Sequence, residues 1–147
     1  HQVELIEHIV EAGVPVMGHL GLTPQSIHSL GGHRVQAKAE NSARRLFESA
    51  SRLEQAGCFS IVLECVPNKV GDCVTKRLSI PTIGIGAGPL TDGQVLVLHD
   101  LLGVDQEFSP RFLRRYANTE NVIASAVGHF HEDVVSQDYP SLEESYG

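Results

Sequence analysis

Polar side chains and glycines follow directly after short apolar runs at four places in the sequence. They are His19, Glu64, Gly86 and the pair His99-Asp100. Carboxylates and imidazoles accept and donate protons, and glycines let a backbone approach a ligand closely. In parallel α/β proteins such groups gather at the carboxyl ends of the strands. These residues are therefore the candidates for a site.

Glu64 fits proton-transfer chemistry best. It follows the apolar residues 61–63 and precedes 65–67, a Cys-Val-Pro run. A partly desolvated carboxylate there suits a general acid or base near neutral pH. The alternative is that Glu64 caps the helix predicted to begin at Pro67 by accepting its free N–H groups. Both interpretations stay open from the residues alone.

His19 is the second candidate, in a segment rich in Gly, Thr and Pro. A histidine at a strand end can donate to a substrate oxygen or ligate a metal, and alternatively it orders its own loop. His129 and His131 are two residues apart on a predicted helix and do not share a face. The sequence lacks the Cys/His spacing of a zinc site.

The run Gly84-Ile85-Gly86-Ala87-Gly88 resembles half of a dinucleotide-binding fingerprint. It lacks the following helix that such a site needs, because residues 89–93 predict a turn into another strand. Close backbone approach to a loop or a ligand is the alternative. His99-Asp100 is either a polar pair at the mouth of the site or a helix start with Asp100 as N-cap.

The elements that must position these residues alternate between helix and strand. The predicted helices are 2–12, 40–56, 67–78, 110–116 and 120–135. The predicted strands are 14–18, 59–66, 80–86 and 94–100, with a loop over 19–32. Strands that are apolar on both faces and separated by helices indicate a parallel sheet covered by helices, the α/β class.

Composition limits the function classes. The chain has 147 residues, fewer than the roughly 250 of a complete (β/α)8 barrel. Its formal charge of −7 argues against nucleic-acid binding, and it contains no apolar run long enough to span a membrane. Its three cysteines favour free thiols in a reducing compartment. Together these features predict a soluble cytoplasmic protein.

Six motifs occur in a defined order along the chain. They are residues 14–26 (VPVMGHLGLTPQS), Gly31-Gly32 with Val35-Gln36, 63–67 (LECVP), 80–88 (IPTIGIGAG), 91–94 (TDGQ) with His99-Asp100, and Tyr139-Pro140. In this order they resemble the ketopantoate hydroxymethyltransferase family over almost the whole chain.

The resemblance implies a (β/α)8 TIM barrel of the pyruvate/phosphoenolpyruvate type. Residues 1–147 would form roughly the C-terminal half of a single barrel domain, with strands 5 to 8 and C-terminal helices from about 110. It further implies a homo-oligomer, often a decamer.

The implied reaction moves a hydroxymethyl group from 5,10-methylenetetrahydrofolate to the ketoacid 3-methyl-2-oxobutanoate. Glu64 would be the proton acceptor, and His19 and Gly86 would line the substrate pocket. The family uses Mg²⁺ bound to the ketoacid. The metal ligands would lie in the N-terminal half of the barrel, with none in this chain.

One motif departs from the family pattern. The family has Gly-Gly-Tyr-Lys-Val-Gln-Gly where residues 31–37 read Gly-Gly-His-Arg-Val-Gln-Ala. Arg34 keeps the basic character, whereas His33 replaces the aromatic residue. Two alternative functions are a non-catalytic half-barrel assembly module and another enolate-forming lyase of the same superfamily.

Overall fold

The computed structural model describes residues 2–26, 32 and 34–147. The chain divides into two compact units, residues 1–95 and 96–147. The first unit contains α1 (Gln2–Glu11), β1 (Met17–Gly21), a 3-10 turn (Pro24–Ser26), α2 (Glu40–Gln55), β2 (Ser60–Glu64), α3 (Asn68–Arg77), β3 (Thr82–Ile85) and β4 (Gly93–Gln94). The second contains α4 (Leu98–Leu102), α5 (Glu120–Ser136) and a 3-10 turn (Leu142–Glu144).

The first unit is built on a parallel sheet in the order β1-β2-β3-β4. The strands lie side by side in the order in which they occur along the chain. α2 connects β1 to β2, and α3 connects β2 to β3. The predicted α/β class with a parallel sheet is confirmed.

The core lies between this sheet and its helices. Ile61 and Leu63 of β2 have no exposed surface, and neither has Val74 of α3. Leu46 and Ala50 of α2 complete the same buried cluster. Burying a leucine or isoleucine side chain stabilises a fold by about 1.5–3 kcal/mol, so these few residues fix how the helices cover the sheet.

α2 confirms the predicted helix over 40–56 because its apolar residues recur at the helical period. Glu54 in its last turn accepts hydrogen bonds from the backbone N–H and the hydroxyl of Ser79, both at 2.7 Å. This contact ties the end of α2 to the segment that leads into β3.

β1 lies three residues later than the predicted strand over 14–18, so His19 belongs to a strand and the predicted loop over 19–32 begins too early. The reason is tertiary. Gly18 lets α2 approach closely, since a Cβ there would lie 2.9 Å from the Leu53 Cδ1 atom. Pairing with β2 then continues to Gly21 in spite of the low strand propensity of glycine.

The predicted strand over 94–100 is wrong beyond its first residue. Val95 donates a last ladder hydrogen bond to the carbonyl of Gly84, and its side chain is 45% exposed. Val97, which would lie on the same face of a strand, is 50% exposed, so this face is not buried enough to support a longer strand. Residues 98–102 form α4 instead, which ends at Gly103 with φ +66°.

In the second unit, α5 confirms the predicted helix over 120–135. The predicted helix over 110–116 is wrong, because Arg115 holds this region in a loop. Its guanidinium donates to the carbonyls of Asp105, Gln106 and Phe108. Those hydrogen bonds stabilise an irregular backbone, which the spacing of apolar residues along the sequence does not indicate.

Two residues of the sequence motifs, Gly31 and His33, lie outside the described residues. The expectation that residues 1–147 belong to one barrel domain stays a prediction.

Candidate functional site

Glu64 is the last residue of β2, and its backbone is held by the neighbouring strands. Its carbonyl accepts a hydrogen bond from the N–H of Leu22 at 2.9 Å. Gly21 makes this approach possible, because it has φ +96° and any Cβ there would collide with the Glu64 carbonyl oxygen. The next residue, Cys65, donates its N–H to the carbonyl of Ile85 at 2.9 Å. β1 and β3 therefore both fix where the Glu64 side chain begins.

His19 and Glu64 meet side chain to side chain. The His19 Nε2 atom lies 3.0 Å from the Glu64 Oε2 atom. An ionised carboxylate only accepts hydrogen bonds, so the imidazole donates from Nε2. The side chains are 34% and 19% exposed, which leaves both within reach of a small molecule.

The strand register explains this meeting. Gly21 pairs with Glu64, and His19 precedes Gly21 by two residues, so His19 and Glu64 share one face of the sheet. Val62 and Ile83 alternate onto the same face and are partly buried. The pair thus lies on a largely apolar surface at the carboxyl edge of the sheet.

Glu64 does not begin the following helix as an N-cap. α3 begins at Asn68 with Pro67 as its N-cap residue, and no side chain forms the cap hydrogen bond. The carboxylate of Glu64 contacts His19 instead. The alternative role as a helix cap is wrong.

Gly86 follows β3 in the left-handed region, with φ +67°. Ile85, one residue earlier, pairs with Glu64, so Gly86 lies near the same edge. Gly88 serves packing, because a Cβ there would lie 2.5 Å from the Asn68 Cβ atom. Residues 90–92 form a turn with no helix, as the sequence predicts, so the helix of a dinucleotide site is missing at this point.

His99 and Asp100 do not end a strand. Both belong to α4, whose N-cap residue is Val97. The predicted strand end and the predicted N-cap at Asp100 are therefore wrong, and the two residues are not assigned to the site around Glu64.

The three cysteines are free thiols, as predicted. Burial raises the pKa of Cys58. Burial, together with the charge of Glu64, raises the pKa of Cys65. A thiol with a raised pKa stays protonated at neutral pH and is a poor nucleophile. Cys65 is therefore not a thiolate partner for the pair beside it.

Two backbone features beside Glu64 could not be predicted from the sequence, although Gln36 and Cys65 both belong to the motifs described above. The N–H of Gln36 donates to the carbonyl of Cys65 at 2.8 Å, which brings the segment after residue 34 to the end of β2. Cys65 itself has φ +49°, although it is not a glycine. A positive φ at cysteine depends on contacts distant in the chain, which no local pattern indicates.

The described residues do not form a metal site. Among them, no group of three or more His, Cys, Asp or Glu side chains is placed to hold an ion. The pair of His19 and Glu64 supplies one nitrogen and one carboxylate, which does not fit Mg²⁺ with its preference for six oxygen ligands. Over the same residues, no helix has the length and apolar character needed to cross a bilayer.

Taken together, these features place the chain among the parallel α/β proteins, with a carboxylate and a histidine side by side at the carboxyl edge of the sheet. The family model described as ketopantoate hydroxymethyltransferase matches residues 1–142. The chain belongs to this family.

Named relatives agree with this assignment. The chain is 50% identical to a 3-methyl-2-oxobutanoate hydroxymethyltransferase of Coxiella burnetii over 97% of its own length and 54% of the relative. It is 51% identical to the protein of that name from Bdellovibrio bacteriovorus, over 98% of the chain and 55% of the relative. For Salinibacter ruber the identity is 54%, over 98% and 54%. The chain thus spans about half the length of the curated relatives that it matches.

Proposed function

We propose that this chain is part of an enzyme that transfers a hydroxymethyl group from 5,10-methylenetetrahydrofolate to 3-methyl-2-oxobutanoate, an early step of pantothenate synthesis. The observation that carries the proposal is the 3.0 Å contact between His19 Nε2 and Glu64 Oε2 at the carboxyl edge of the sheet. It joins a proton acceptor to a donor on the face where barrel enzymes bind substrates. The named relatives support the same reaction.

The sheet supports a place in a (β/α)8 barrel. β1 to β4 follow the chain in spatial order, all parallel, as consecutive strands of a barrel do. β1 is an edge strand of this sheet, so a complete barrel would add a further strand beside it. We therefore assign β1 to β4 to strands 5 to 8, with residues 1–147 as the C-terminal half of the domain.

Glu64 is the proton acceptor in this scheme. The ketoacid has one hydrogen on the carbon beside its ketone, and the carboxylate removes it to leave an enolate. Water first hydrolyses the folate adduct, so that its oxygen goes to formaldehyde and its two hydrogens go to the folate nitrogens. The enolate carbon then adds to the formaldehyde carbon, and the resulting alkoxide takes back the proton from Glu64 to give the hydroxymethyl group. His19 donates to Oε2 and so holds the carboxylate in place. Gly86 is proposed to line the ketoacid pocket, since it directly follows Ile85, the residue paired with Glu64.

No metal-dependent step is assigned to these residues, because the described donors do not fit Mg²⁺. The ketoacid and the folate are the proposed small-molecule partners. Homo-oligomeric assembly and a cytoplasmic location are part of the same proposal, and the three free thiols support a reducing compartment.

Replacing the proposed base tests the function. In the complete protein that carries this sequence, Glu64→Gln keeps the size of the side chain and removes the proton acceptor. We expect ketoacid- and folate-dependent turnover to fall by about 10²–10⁴-fold, the usual contribution of a general base. Glu48→Gln, an exposed position on α2, is the matched control and keeps full turnover. Unchanged turnover in Glu64→Gln would refute the assignment.

The same preparation separates the two alternatives. An intact mass well above the 15.9 kDa of this chain rejects a stand-alone half-barrel module. Ketoacid turnover that needs no folate would instead favour another enolate-forming lyase. The proposal requires both a larger polypeptide and dependence on folate.

A further inference from the structure

The backbone turns sharply at the end of β2. Cys65 has φ +49°, in the left-handed region where a Cβ crowds the carbonyl oxygen that follows it. Such a conformation persists only where surrounding contacts over-determine it, and it clusters at functional sites. Cys65 directly follows Glu64, so the two residues share the peptide group whose carbonyl Leu22 binds and whose N–H binds Ile85.

Three separate segments hold this turn. Leu22 donates to the Glu64 carbonyl at 2.9 Å, and Gln36 donates to the Cys65 carbonyl at 2.8 Å. The Cys65 N–H donates to Ile85 at 2.9 Å. The peptide groups on both sides of Cys65 are thus satisfied only in the observed orientation, which offsets the cost of the left-handed residue.

We propose that residue 65 is a positioning residue for Glu64, and that its left-handed backbone sets the 3.0 Å contact between Glu64 and His19. This inference rests on the proposed function and names a residue that acts through the proposed base. The thiol has no chemical part in it. Burial raises the pKa of Cys65, in keeping with a side chain that stays neutral beside the carboxylate.

Because the proposal concerns the backbone of residue 65, substitutions there should differ in effect according to how readily each residue adopts a positive φ. Glycine adopts positive φ freely, and asparagine adopts it more readily than most residues. Valine is branched at Cβ and is a strong outlier there. Asparagine and valine differ little in size, so this pair separates backbone conformation from side-chain volume.

The experiment compares Cys65→Gly, Cys65→Asn and Cys65→Val in the complete protein, with Cys73→Val as control. Cys73 is an exposed residue of α3 with ordinary helical backbone. Crystal structures report the distance between His19 Nε2 and Glu64 Oε2. Steady-state kinetics report kcat and KM, and thermal unfolding reports folding.

We expect the Gly and Asn variants to keep the contact at about its present length and to keep kcat, because both accept positive φ. We expect the Val variant to lose the contact between His19 and Glu64. Its kcat should fall by about 10²-fold with little change in KM, because a shift of about 1 Å in a catalytic group has an effect of this size. Cys73→Val keeps full activity.

Two results would overturn the inference. One is a Val variant that keeps both the contact and kcat. The other is loss of the contact in the Gly or the Asn variant. This second result tests the inference even if the Val variant does not fold. Failure of the proposed function looks different: the wild-type protein then transfers no hydroxymethyl group, while the distances in the variants still follow the tolerance for positive φ.

Discussion

At the scale of single residues, the candidate site depends on Gly21, which has no side chain, as much as on Glu64 and His19. Gly21 lets the N–H of Leu22 reach the Glu64 carbonyl, because any Cβ at this position would collide with that carbonyl. The sequence identified Glu64 and His19 as candidates because both follow apolar runs. It could not show that they touch, because that contact depends on strand register.

A matched pair of glycines tests this role. Gly21 and Gly13 both have positive φ, but a Cβ on Gly21 collides with the Glu64 carbonyl, whereas one on Gly13 meets no atom within 4 Å. Gly13→Ala should therefore cost only the strain of the left-handed backbone, about 1–2 kcal/mol. Gly21→Ala adds a backbone collision and should cost clearly more.

Chemical denaturation of both variants measures the difference in the free energy of unfolding. We also expect Gly21→Ala to lower turnover, since it displaces the carbonyl of the proposed base, while Gly13→Ala leaves turnover unchanged. Equal stability and equal turnover in the two variants would contradict the role of Gly21.

At the scale of elements, the longer helices followed from the sequence, whereas the strand ends and the short helix α4 did not. The apolar period of α2 and α5 is local, so both were predicted closely. The extent of β1 depends on how closely α2 approaches Gly18, and the early end of β4 depends on missing burial at Val95 and Val97. Neither cause can be read from one segment.

The contact between α2 and Ser79 makes a pH-dependent contribution to stability. Hydrogen bonds from the hydroxyl and then the backbone N–H of Ser79 hold the pKa of Glu54 below its ordinary value. A carboxyl with a lowered pKa in the folded state stabilises the fold above its unfolded pKa, and this contribution disappears as the pH falls through the folded pKa.

Glu54→Gln should therefore destabilise the protein most at neutral pH, and its difference from wild type should shrink as the pH falls below the ordinary pKa of a glutamate, about 4.3. Denaturant unfolding at several pH values measures this. Glu48→Gln, on an exposed turn of the same helix, is the control for the loss of a surface carboxylate. A difference for Glu54→Gln that stays constant with pH would disprove the linkage.

At the scale of the whole molecule, family membership is secure while the assembly of the active enzyme is a proposal. The motifs along the sequence were sufficient to identify the family, and the family model over residues 1–142 confirms it. The left-handed Cys65 and its bond to Gln36 could not be foreseen, because they depend on contacts between segments far apart in the chain. About half of each relative's length lies outside this chain, so the barrel and its remaining ligands follow from resemblance.

Glu64 is proposed to remove the proton beside the ketone of the ketoacid. The most direct measurement is the exchange of that hydrogen of 3-methyl-2-oxobutanoate for solvent deuterium, followed by proton NMR in the complete protein without folate. We expect exchange with the wild-type protein and a loss of about 10²-fold or more in Glu64→Gln, with Glu48→Gln unchanged. Exchange at the wild-type rate in Glu64→Gln would contradict the claim.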